Sequence, residues 1–500
     1  MSPPYDLSEE IVKAISYLRV GLATSVNVVL YAATSGRFIW LEGRVSRGLF
    51  QNWAKRFRYP PPQYARPSSE SEIVDLVKNS RSLRVFGSGH SFNAGVVSDD
   101  VLVSLDDFSG LVAKDLDKQQ ITVKGGTRIR EVVRLLAEEG LAFAALPSHD
   151  AQSIGGILST DVHGTGRDRG FVSESVVRLT LVNGKGEVHS CEPSDDLFRA
   201  AIGGIGAVGI ITEVVVQGVP QFNIRQQVEI RDLGFVREHL DELLAENDHL
   251  SLYLYPFSET CQVNTWNRTG EAQARLGDLR ESLHISADAL LAAWLGNFLA
   301  YGRLLPFSRF VSRLPFVTKR GSSLVLASPK AFNRSVYHLH QEVEFTVPYE
   351  STFEAADRFM NLYEQLYPSG LPYTLIELRF TPEITDRTFI GAGRGRRSTW
   401  IDLLTNDSDG FEIYYAAAEK LIQKIDARPH LGKFCERVGQ KDLERVHGES
   451  FRRFIELVAV NDPDRKFAND FTRRLLGTES SAATSPAGAD APAAGDSGRP

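Results

Sequence analysis

A glutamate and an arginine two residues apart have a spacing that could support chemistry. They lie in YTLIELRF, residues 373–380, whose alternation predicts a β-strand. Thr374, Ile376, Leu378 and Phe380 would form one largely apolar face. Side chains alternate across a strand, so Glu377 and Arg379 point the same way, on the opposite face. Such a pair is either a minor surface ion pair or part of a polar site.

Glycine-rich loops are the second chemical feature, and two of them contain a histidine. The loops are GSGHS (87–91), SIGGILSTDVHGTG (153–166) and IGGIGAVG (202–209). Glycine lets the backbone approach a ligand closely, and successive N–H groups form concave anion sites. One such loop could be a plain tight turn, but three together indicate one long cofactor that carries phosphate.

Residues 204–209, GIGAVG, also match the glycine pattern of Rossmann nucleotide sites. That site needs a strand before the loop and a helix after it, so that the helix N-terminus meets the pyrophosphate. Here a predicted helix, DDLFRAAI (195–202), precedes the loop, and a predicted strand, GIITEVVVQG (209–218), follows it. We therefore reject a Rossmann site.

Ordered motifs along the chain resemble one flavoprotein superfamily. The motifs are RVFGSGHSF (84–92), SIGGILSTDVHGTG (153–166), DLFRAAIGGIGAVGIIT (196–212), EVEFTVPYE (342–350), ELR (377–379), RPHLGK (428–433) and DPDRKF (462–467). They are similar to the vanillyl-alcohol oxidase superfamily and, within it, most similar to the aldonolactone and alditol oxidases. The resemblance covers residues 50–476 and implies FAD as the cofactor.

The resemblance implies an FAD site position by position. His90 matches the histidine that covalent members bond to the flavin 8α-methyl group, which should raise the flavin redox potential. The matching positions are Phe86, Gly87, Ser88, Gly89, His90, Ser91, Phe92, Ser153, Gly155, Gly156, His163, Gly164, Gly209 and Ile211. His149 precedes the second loop and is either a structural residue or a ligand contact.

The resemblance also implies the catalytic groups. Glu377 and Arg379 match a pair that lies over the flavin and binds sugar hydroxyls; a carboxylate can orient the substrate and a guanidinium can stabilise developing charge. Lys433 matches a lysine beside the flavin N1–C2=O edge, and His430 is a candidate for taking the hydroxyl proton. Leu431 stands where tryptophan is usual, which should reshape the pocket.

The elements that position these residues fall into two parts. Short strands and helices with close turns predict an α+β arrangement over 66–218, and strand-like runs alternate with longer helices over 219–475. The implied fold is a two-part PCMH-type FAD-binding domain plus an α+β substrate (cap) domain with a mostly antiparallel sheet. The predicted divisions are an N-terminal helical extension (1–49), the FAD-binding domain (50–219), the substrate domain (220–460), a C-terminal segment returning to the FAD domain (461–476) and a disordered tail (477–500).

Two apolar segments leave alternatives open. Residues 20–36 carry no charge, but 17 residues are fewer than the roughly 20 that span a bilayer. Residues 285–317 are apolar, aromatic and interspersed with arginine. Each segment either packs on the protein or lies at a membrane surface.

Charge and cysteine usage restrict the partners. The formal net charge is −7, so no global basic field favours nucleic acid. Three cysteines without a CxxC pair argue against a disulfide framework or a zinc–cysteine site, and we expect no metal. We expect a cytoplasmic protein, with peripheral membrane contact as an alternative.

The expected activity is oxidation of an alcohol group on a sugar-like substrate, such as an aldonolactone, alditol or related polyol. Hydride would pass to flavin N5, and oxygen, a quinone or a cytochrome would reoxidise the flavin. Val162, larger than the residue often found there, favours restricted oxygen access and hence a dehydrogenase. The alternatives are a lipid-linked sugar oxidase resembling the decaprenyl-phosphoribose oxidases, and a catalytically silent flavin-binding or interaction protein.

Overall fold

The chain forms five β-sheets with helices packed around them in the computed structural model, which describes residues 7–34, 42–307, 322–332, 339–384 and 387–477. The strands are β1 Arg44–Ser46, β2 Leu49–Gln51, β3 Arg58–Tyr59, β4 Gln63–Ala65, β5 Leu83–Phe86, β6 Val101–Ser104, β7 Leu111–Asp115, β8 Gln120–Lys124, β9 Leu141–Ala142, β10 Val176–Val182, β11 Val188–Cys191, β12 Ile210–Gln217, β13 Val219–Pro220, β14 Asn223–Asp232, β15 His249–Leu254, β16 Thr260–Thr269, β17 Ser322–Ala327, β18 His340–Pro348, β19 Thr374–Thr381, β20 Ser398–Asn406 and β21 Arg428–Pro429. The helices are α1 Leu7–Thr34, α2 Glu70–Asn79, α3 Ile129–Glu138, α4 Ile154–Ser159, α5 Asp196–Ala201, α6 Leu233–Glu238, α7 Leu240–Glu246, α8 Gly277–Leu290, α9 Asn297–Tyr301, α10 Ser328–Phe332, α11 Thr352–Leu366, α12 Phe411–Ile422, α13 Gln440–His447, α14 Glu449–Asn461 and α15 Asp470–Leu476.

The first half of the chain contains two small sheets that carry the glycine-rich loops. One is parallel, in the order β4-β6-β5, and the other is antiparallel, in the order β11-β10-β12-β8-β7. Local sequence explains their elements: Ser69 caps α2 by accepting a hydrogen bond from the Glu72 N–H. Asn183 accepts from the N–H groups of Lys185 and Glu187 at 3.0 Å each, which closes the predicted hairpin between β10 and β11.

The second half is built on one eight-stranded antiparallel sheet, in the order β17-β14-β16-β15-β19-β20-β18-β21. Ile376, Leu378 and Phe380 on β19 lie in the hydrophobic core on one face, together with helices α11 and α12. The opposite face is polar and faces the glycine-rich loops. The predicted alternation of β19 is therefore present.

The segment around Lys466 and Phe467 returns to the first half of the chain. Leu83 N–H donates to the carbonyl of Lys466 at 2.8 Å, and the Arg84 guanidinium donates to the carbonyl of Phe467 at 2.6 Å. Residues 44–46, within the extension predicted to be helical, instead form β1 because they pair with β2. Of the predicted tail, residues 478–500 lie outside the described residues.

The two apolar segments are helical over residues 20–34 and 285–301, and these helices pack against each other. Helix α1 contacts α8, α9 and the π-helical turn between them, Leu291–Gly296. By length and composition, one helical stretch of the described chain, Gly277–Tyr301, could cross a membrane, and 33% of its apolar window is buried in the protein. Residues 308–317, the end of the segment predicted to be apolar, lie outside the described residues.

Candidate active site

One cavity of about 280 Å³ brings together every site residue that the sequence predicted. The fourteen cofactor-binding positions line it, and so do Glu377, Arg379, His430 and Lys433. The three glycine-rich loops form one side, and the polar face of the large sheet forms the other. The cavity therefore joins two parts of the chain that are distant in sequence.

Close packing between loops explains the glycines. A Cβ atom on Gly87 would lie 2.0 Å from Oγ of Ser153, so the first and second loops can approach only without that side chain. Gly89 has a φ of +63°, a left-handed conformation that favours glycine, directly before His90. The N–H of Gly155 donates to the carbonyl of Gly125 at 2.9 Å and holds the second loop in place.

His90 lies among aromatic rings at the cavity wall. Its imidazole stacks on Trp53, with ring centroids 5.4 Å apart and planes 13° from parallel. The ring of His149 lies 4.9 Å from His90, and burial lowers the pKa of His149 to about 4. Both His149 and Trp53 line the cavity, which gives His149 a place in the site.

Hydrogen bonds connect the first loop to the HLGK turn. Phe92 N–H donates to the carbonyl of Gly432 at 3.0 Å. The Asn93 amide donates to the carbonyls of Leu431 at 2.7 Å and Lys433 at 2.8 Å. Leu431 is buried in the core, so it packs internally where the family pattern has a tryptophan.

Three carboxyl groups form a row across the polar face of the sheet. Asp402 on β20 is the direct cross-strand partner of Glu344 on β18 and of Glu377 on β19. Direct neighbours in antiparallel strands have Cβ atoms about 5 Å apart, so like charges there repel. A fourth carboxyl, Glu342, lies two residues before Glu344 and therefore on the same face.

Two buried cations are held by these carboxyls. The Arg379 guanidinium donates to Glu344 and, at 3.2 Å, to Oδ2 of Asp402. The Lys433 ammonium donates to Glu342 and lies 3.7 Å from Oδ2 of Asp402. Burial lowers the pKa of each cation, but the carboxylates outweigh it and raise both pKa values above normal. Both groups therefore stay charged.

The carboxyl groups titrate differently because of their neighbours. Burial raises the pKa of Asp402 well above its usual value, and the charges of Glu342 and Glu344 raise it further. Burial opposes ionisation of Glu342 and Glu344 too, but Lys433 and Arg379 outweigh it and hold both pKa values below normal. Asp402 is therefore the carboxyl of this group that keeps its proton as pH rises.

The geometry of His430 argues against its predicted role as a proton acceptor. Its Nδ1 accepts a hydrogen bond from the Gly432 N–H at 3.0 Å, so the neutral ring carries its own proton on Nε2. Burial lowers the pKa of His430 to about 3. The ring therefore has no free lone pair and a weak affinity for a second proton, and it can only donate into the cavity.

His163 fastens the second loop to the sheet. Its Nδ1 lies 2.8 Å from the carbonyl of Gly164, and its Nε2 lies 3.1 Å from Oε1 of Glu344. A carbonyl only accepts, so the contact with Glu344 requires a proton shared between imidazole and carboxylate. Burial lowers the pKa of His163, and Glu344 acts in the opposite direction. The ring also stacks on Trp400, with centroids 3.5 Å apart.

A metal is a poor match for this position. His163, Glu344 and His430 offer ligand atoms within 4.8 Å of one another. However, Arg379 already donates to Glu344, and the Gly432 N–H already occupies Nδ1 of His430. These contacts already engage ligand atoms that a metal would need.

Sequence reasoning missed part of the site. The missed residues that line the cavity include Trp53, Tyr253, Trp266, His340, Glu342, Glu344 and Asp402. A usable signal existed for two of them: Glu342 and Glu344 alternate in the strand EVEFTVP, as Glu377 and Arg379 do in their own strand.

Comparison with protein families identifies the second half of the chain. The model of the D-arabinono-1,4-lactone oxidase family matches residues 214–475, more than half of the chain, and that of the FAD binding domain matches residues 61–192. The chain belongs to the D-arabinono-1,4-lactone oxidase family. It is therefore an FAD-dependent oxidoreductase of the vanillyl-alcohol oxidase superfamily that acts on a sugar-like substrate.

Similar proteins support this family assignment along nearly the whole chain. The L-gulono-1,4-lactone dehydrogenase of Mycobacterium tuberculosis is 29% identical over 447 residues, which cover 86% of this chain and 99% of that protein. The L-gulonolactone oxidase of Mus musculus is 26% identical, over 85% of this chain and 98% of its own length. These relatives do not favour the lipid-linked sugar oxidase or the silent protein.

A solved structure has the same fold. Cholesterol oxidase from Brevibacterium sterolicum superposes with a TM-score of 0.71 over 87% of this chain and 97% of that chain, at 18% sequence identity. This agrees with the predicted PCMH-type FAD-binding domain and the large antiparallel sheet of the family.

The cavity fits the FAD that this family uses. Its glycine-rich loops bring backbone to the cavity wall, as in loops that bind a pyrophosphate, and the rings of Trp53 and His90 lie in the same wall. The charged sheet face then lies opposite the loops, where a substrate could meet the cofactor. FAD, when bound, supplies the acceptor for the substrate's hydride.

Proposed function

We propose that this enzyme oxidises a ring or chain alcohol of an aldono-1,4-lactone or related polyol. The observation that supports it is the row of Glu344, Asp402 and Glu377, with Arg379 and Lys433, across the cavity from the glycine-rich loops. Carboxylates accept hydrogen bonds from several hydroxyls at once, which suits a polyhydroxylated and uncharged substrate.

Glu377 is proposed to orient the substrate and to accept the hydroxyl proton, because His430 has no free lone pair. The O–H bond gives its proton to the carboxylate as the carbonyl forms, and FAD, when bound, would supply the acceptor for the hydride that takes both electrons of the C–H bond. Nε of Arg379 lies 3.8 Å from Oε2 of Glu377, and this contact holds the Glu377 carboxylate in place. Arg379 and Lys433 stabilise the negative charge that develops.

Anaerobic reduction tests this function. The purified holoenzyme is mixed with aldono-1,4-lactones, with alditols and, separately, with a prenyl-linked sugar, and flavin absorbance is followed. We expect bleaching with a lactone or alditol and none with the prenyl-linked sugar. Bleaching by the prenyl-linked sugar alone, or by no alcohol, would reject the proposal.

We further propose that His90 is bonded covalently to FAD. Its position after Gly89, against Trp53 in the cavity wall, supports this bond. The intact mass of the denatured chain should exceed the sequence mass by one FAD, and His90→Ala should remove the excess while FAD still binds. A wild-type mass without the excess would contradict the bond.

The electron acceptor is proposed to be a quinone or a cytochrome, with oxygen slower. Val162, which packs against the core beside the second loop, supports this choice because its bulk narrows access there. Reoxidation rates with oxygen, a soluble quinone and cytochrome c measure the order of the three acceptors directly.

We propose that the protein lies in the cytoplasm, in keeping with three buried free cysteines.

A further inference from the structure

Helix α1 exposes a continuous apolar stripe. The exposed side chains are Ile11, Val12, Ile15, Leu18, Leu22, Val26 and Val29, each between 49% and 66% exposed. Six of them recur at intervals of three or four residues, which places them on one face of the helix. Large exposed apolar surfaces of this kind mark contact sites with a membrane or with another protein.

The neighbouring helical stretch, from the start of α8 to the end of α9, has a similar stripe. Its exposed large apolar side chains are Leu276, Leu279, Leu283, Trp294, Phe298 and Tyr301, between 40% and 66% exposed. Three of the six are aromatic, and the rings of two of them, Trp294 and Tyr301, carry a polar end. Such residues are enriched at the boundary between lipid and water.

The two stripes lie side by side because the helices are antiparallel neighbours. Tyr17 meets Tyr301 with ring centroids 5.7 Å apart, and the Trp294 indole donates to Oγ of Ser25 at 3.0 Å. Val28, further along α1, packs near Ile285 in α8. We call the exposed sides of these two helices the apolar layer.

The inner sides of the apolar layer are fixed to the protein. The Asn406 amide donates to the carbonyl of Ala292 at 2.9 Å, and Arg19 forms an ion pair with Asp407 at 2.8 Å. A Cβ on Gly296 would lie 2.8 Å from the ring of Tyr373, so the helix lies directly on that side chain. Crossing a bilayer would break these contacts, whereas lying on its surface would keep them.

The distribution of charge indicates which partner binds the apolar layer. Every exposed side chain from Val20 to Leu30, and from Ala289 to Tyr301, is apolar. Exposed charges in α8 are confined to Asp278, Arg280 and Asp288, before this second stretch. The sequence that follows α9 carries four cationic residues and no acidic residue over 308–320, in a chain of net charge −7. Two apolar stretches without exposed charge, followed in sequence by a basic segment, match an anionic lipid surface, whereas a second copy of the chain would add the same cationic charge.

We infer that the apolar layer seats this protein on an anionic lipid bilayer, with α1, α8 and α9 parallel to the membrane plane. The attachment is peripheral, since apolar side chains enter the headgroup region while the body stays in water. This inference does not depend on the substrate. It deepens the alternative of peripheral contact that the sequence left open.

Vesicle flotation with the full-length holoenzyme tests it. The protein is mixed with vesicles of phosphatidylcholine alone or of phosphatidylcholine with phosphatidylglycerol. We expect flotation with the anionic vesicles, weaker flotation with the neutral ones, and partial release in high salt. The triple variant Leu22→Glu, Val26→Glu, Phe298→Glu should reduce the bound fraction at least about tenfold.

The control is Val460→Glu, on α14, which also replaces an exposed apolar side chain but outside the layer. It should float like the wild type. Flavin bleaching by a soluble substrate should be the same in both variants, which separates this test from that of the proposed function. The inference is wrong if the wild type ignores both vesicle types, or if it is a dimer without lipid and the triple variant is a monomer.

Discussion

The three glycine-rich loops, which we call the FAD cradle, meet the polar face of the eight-stranded sheet, which we call the charged sheet face, in one cavity. The cradle depends on its backbone, whereas the charged sheet face depends on its side chains. In the cradle, Gly87 lies against Ser153 so closely that a single methyl group would collide. On the sheet face, cross-strand register brings Glu344, Asp402 and Glu377 together from three separate strands. Local sequence therefore controls the cradle, whereas the topology of the whole sheet controls the charges.

The cradle and the charged sheet face should also be sensitive to different kinds of mutation. A backbone cradle fails when volume is added, because close-packed loops cannot absorb a new atom. A buried charge cluster fails when one partner is removed, because the remaining charges lose their compensation in a poorly solvated site. The mutations below test each half by the change that should harm it most.

Arg379→Gln should have the largest effect, since Arg379 contacts Glu344, Asp402 and Glu377. We expect turnover to fall by roughly 10³-fold from lost charge stabilisation. Removing one partner of a buried cluster should also lower the free energy of unfolding by about 3–5 kcal/mol. Stopped-flow flavin reduction and chemical denaturation measure the two quantities.

Arg237→Gln is the matched control for the charged face. Arg237 pairs with Asp357 through both guanidinium nitrogens, but the pair is half exposed. Its loss should change stability by about 1 kcal/mol or less and leave turnover unchanged. Similar losses in the two variants would mean that the cluster around Arg379 has no special role.

Gly87→Ala tests the cradle and should be the next largest effect. The added Cβ would meet Oγ of Ser153 at 2.0 Å, so the Ser153 hydroxyl must turn away or the first and second loops must separate. We expect a loss of about 1–3 kcal/mol in stability and a matching fall in FAD content. Gly270→Ala, with open space around it, should change neither quantity. Full FAD content in Gly87→Ala would show that the two loops can separate at no loss.

The cradle could be predicted from the sequence, whereas much of the charged sheet face could not. The cradle was readable because its glycines and His90 lie in short contiguous motifs, and helix α5 before the third loop was enough to reject a Rossmann site. Asp402 could not be found that way. Its strand, STWIDLLTN, has no charged neighbour in sequence, and only pairing with two other strands gives the carboxyl its role.

The same limit applies to the role predicted for His430. Histidine is a common proton acceptor, so the residue type alone favoured that role. The protonation of His430 depends, however, on the backbone N–H of Gly432 and on burial by distant strands. The apolar helices show the opposite case. Their composition was plain in the sequence, but only the packing shows which of their faces stays exposed.

Asp402→Asn should change how stability depends on pH rather than turnover at a single pH. The folded-state pKa of Asp402 is raised, so folding takes up a proton between the unfolded pKa, about 4, and the folded pKa. The contribution of Asp402 to stability is therefore greatest below about pH 4 and decreases as pH rises through that window.

The asparagine variant cannot ionise, so the wild type should lose stability relative to it by up to about 1.4 kcal/mol per pH unit in that window. Thermal and denaturant unfolding from pH 4 to 8 measure the difference. Parallel stability curves for the two proteins would show that Asp402 titrates normally, and would remove the proposed difference among the carboxyls.

His430→Asn should have the smallest effect, because the amide oxygen of asparagine can accept the Gly432 N–H bond that Nδ1 now accepts. If His430 only donates a hydrogen bond, turnover should fall by less than about tenfold, and the acid limb of the pH–rate profile should keep its midpoint. Glu377→Gln should instead lower turnover strongly, because an amide cannot accept the hydroxyl proton. A large loss in His430→Asn together with a shifted limb would make the imidazole the proton acceptor after all, and would move the chemistry from the sheet face to the turn that the cradle holds in place.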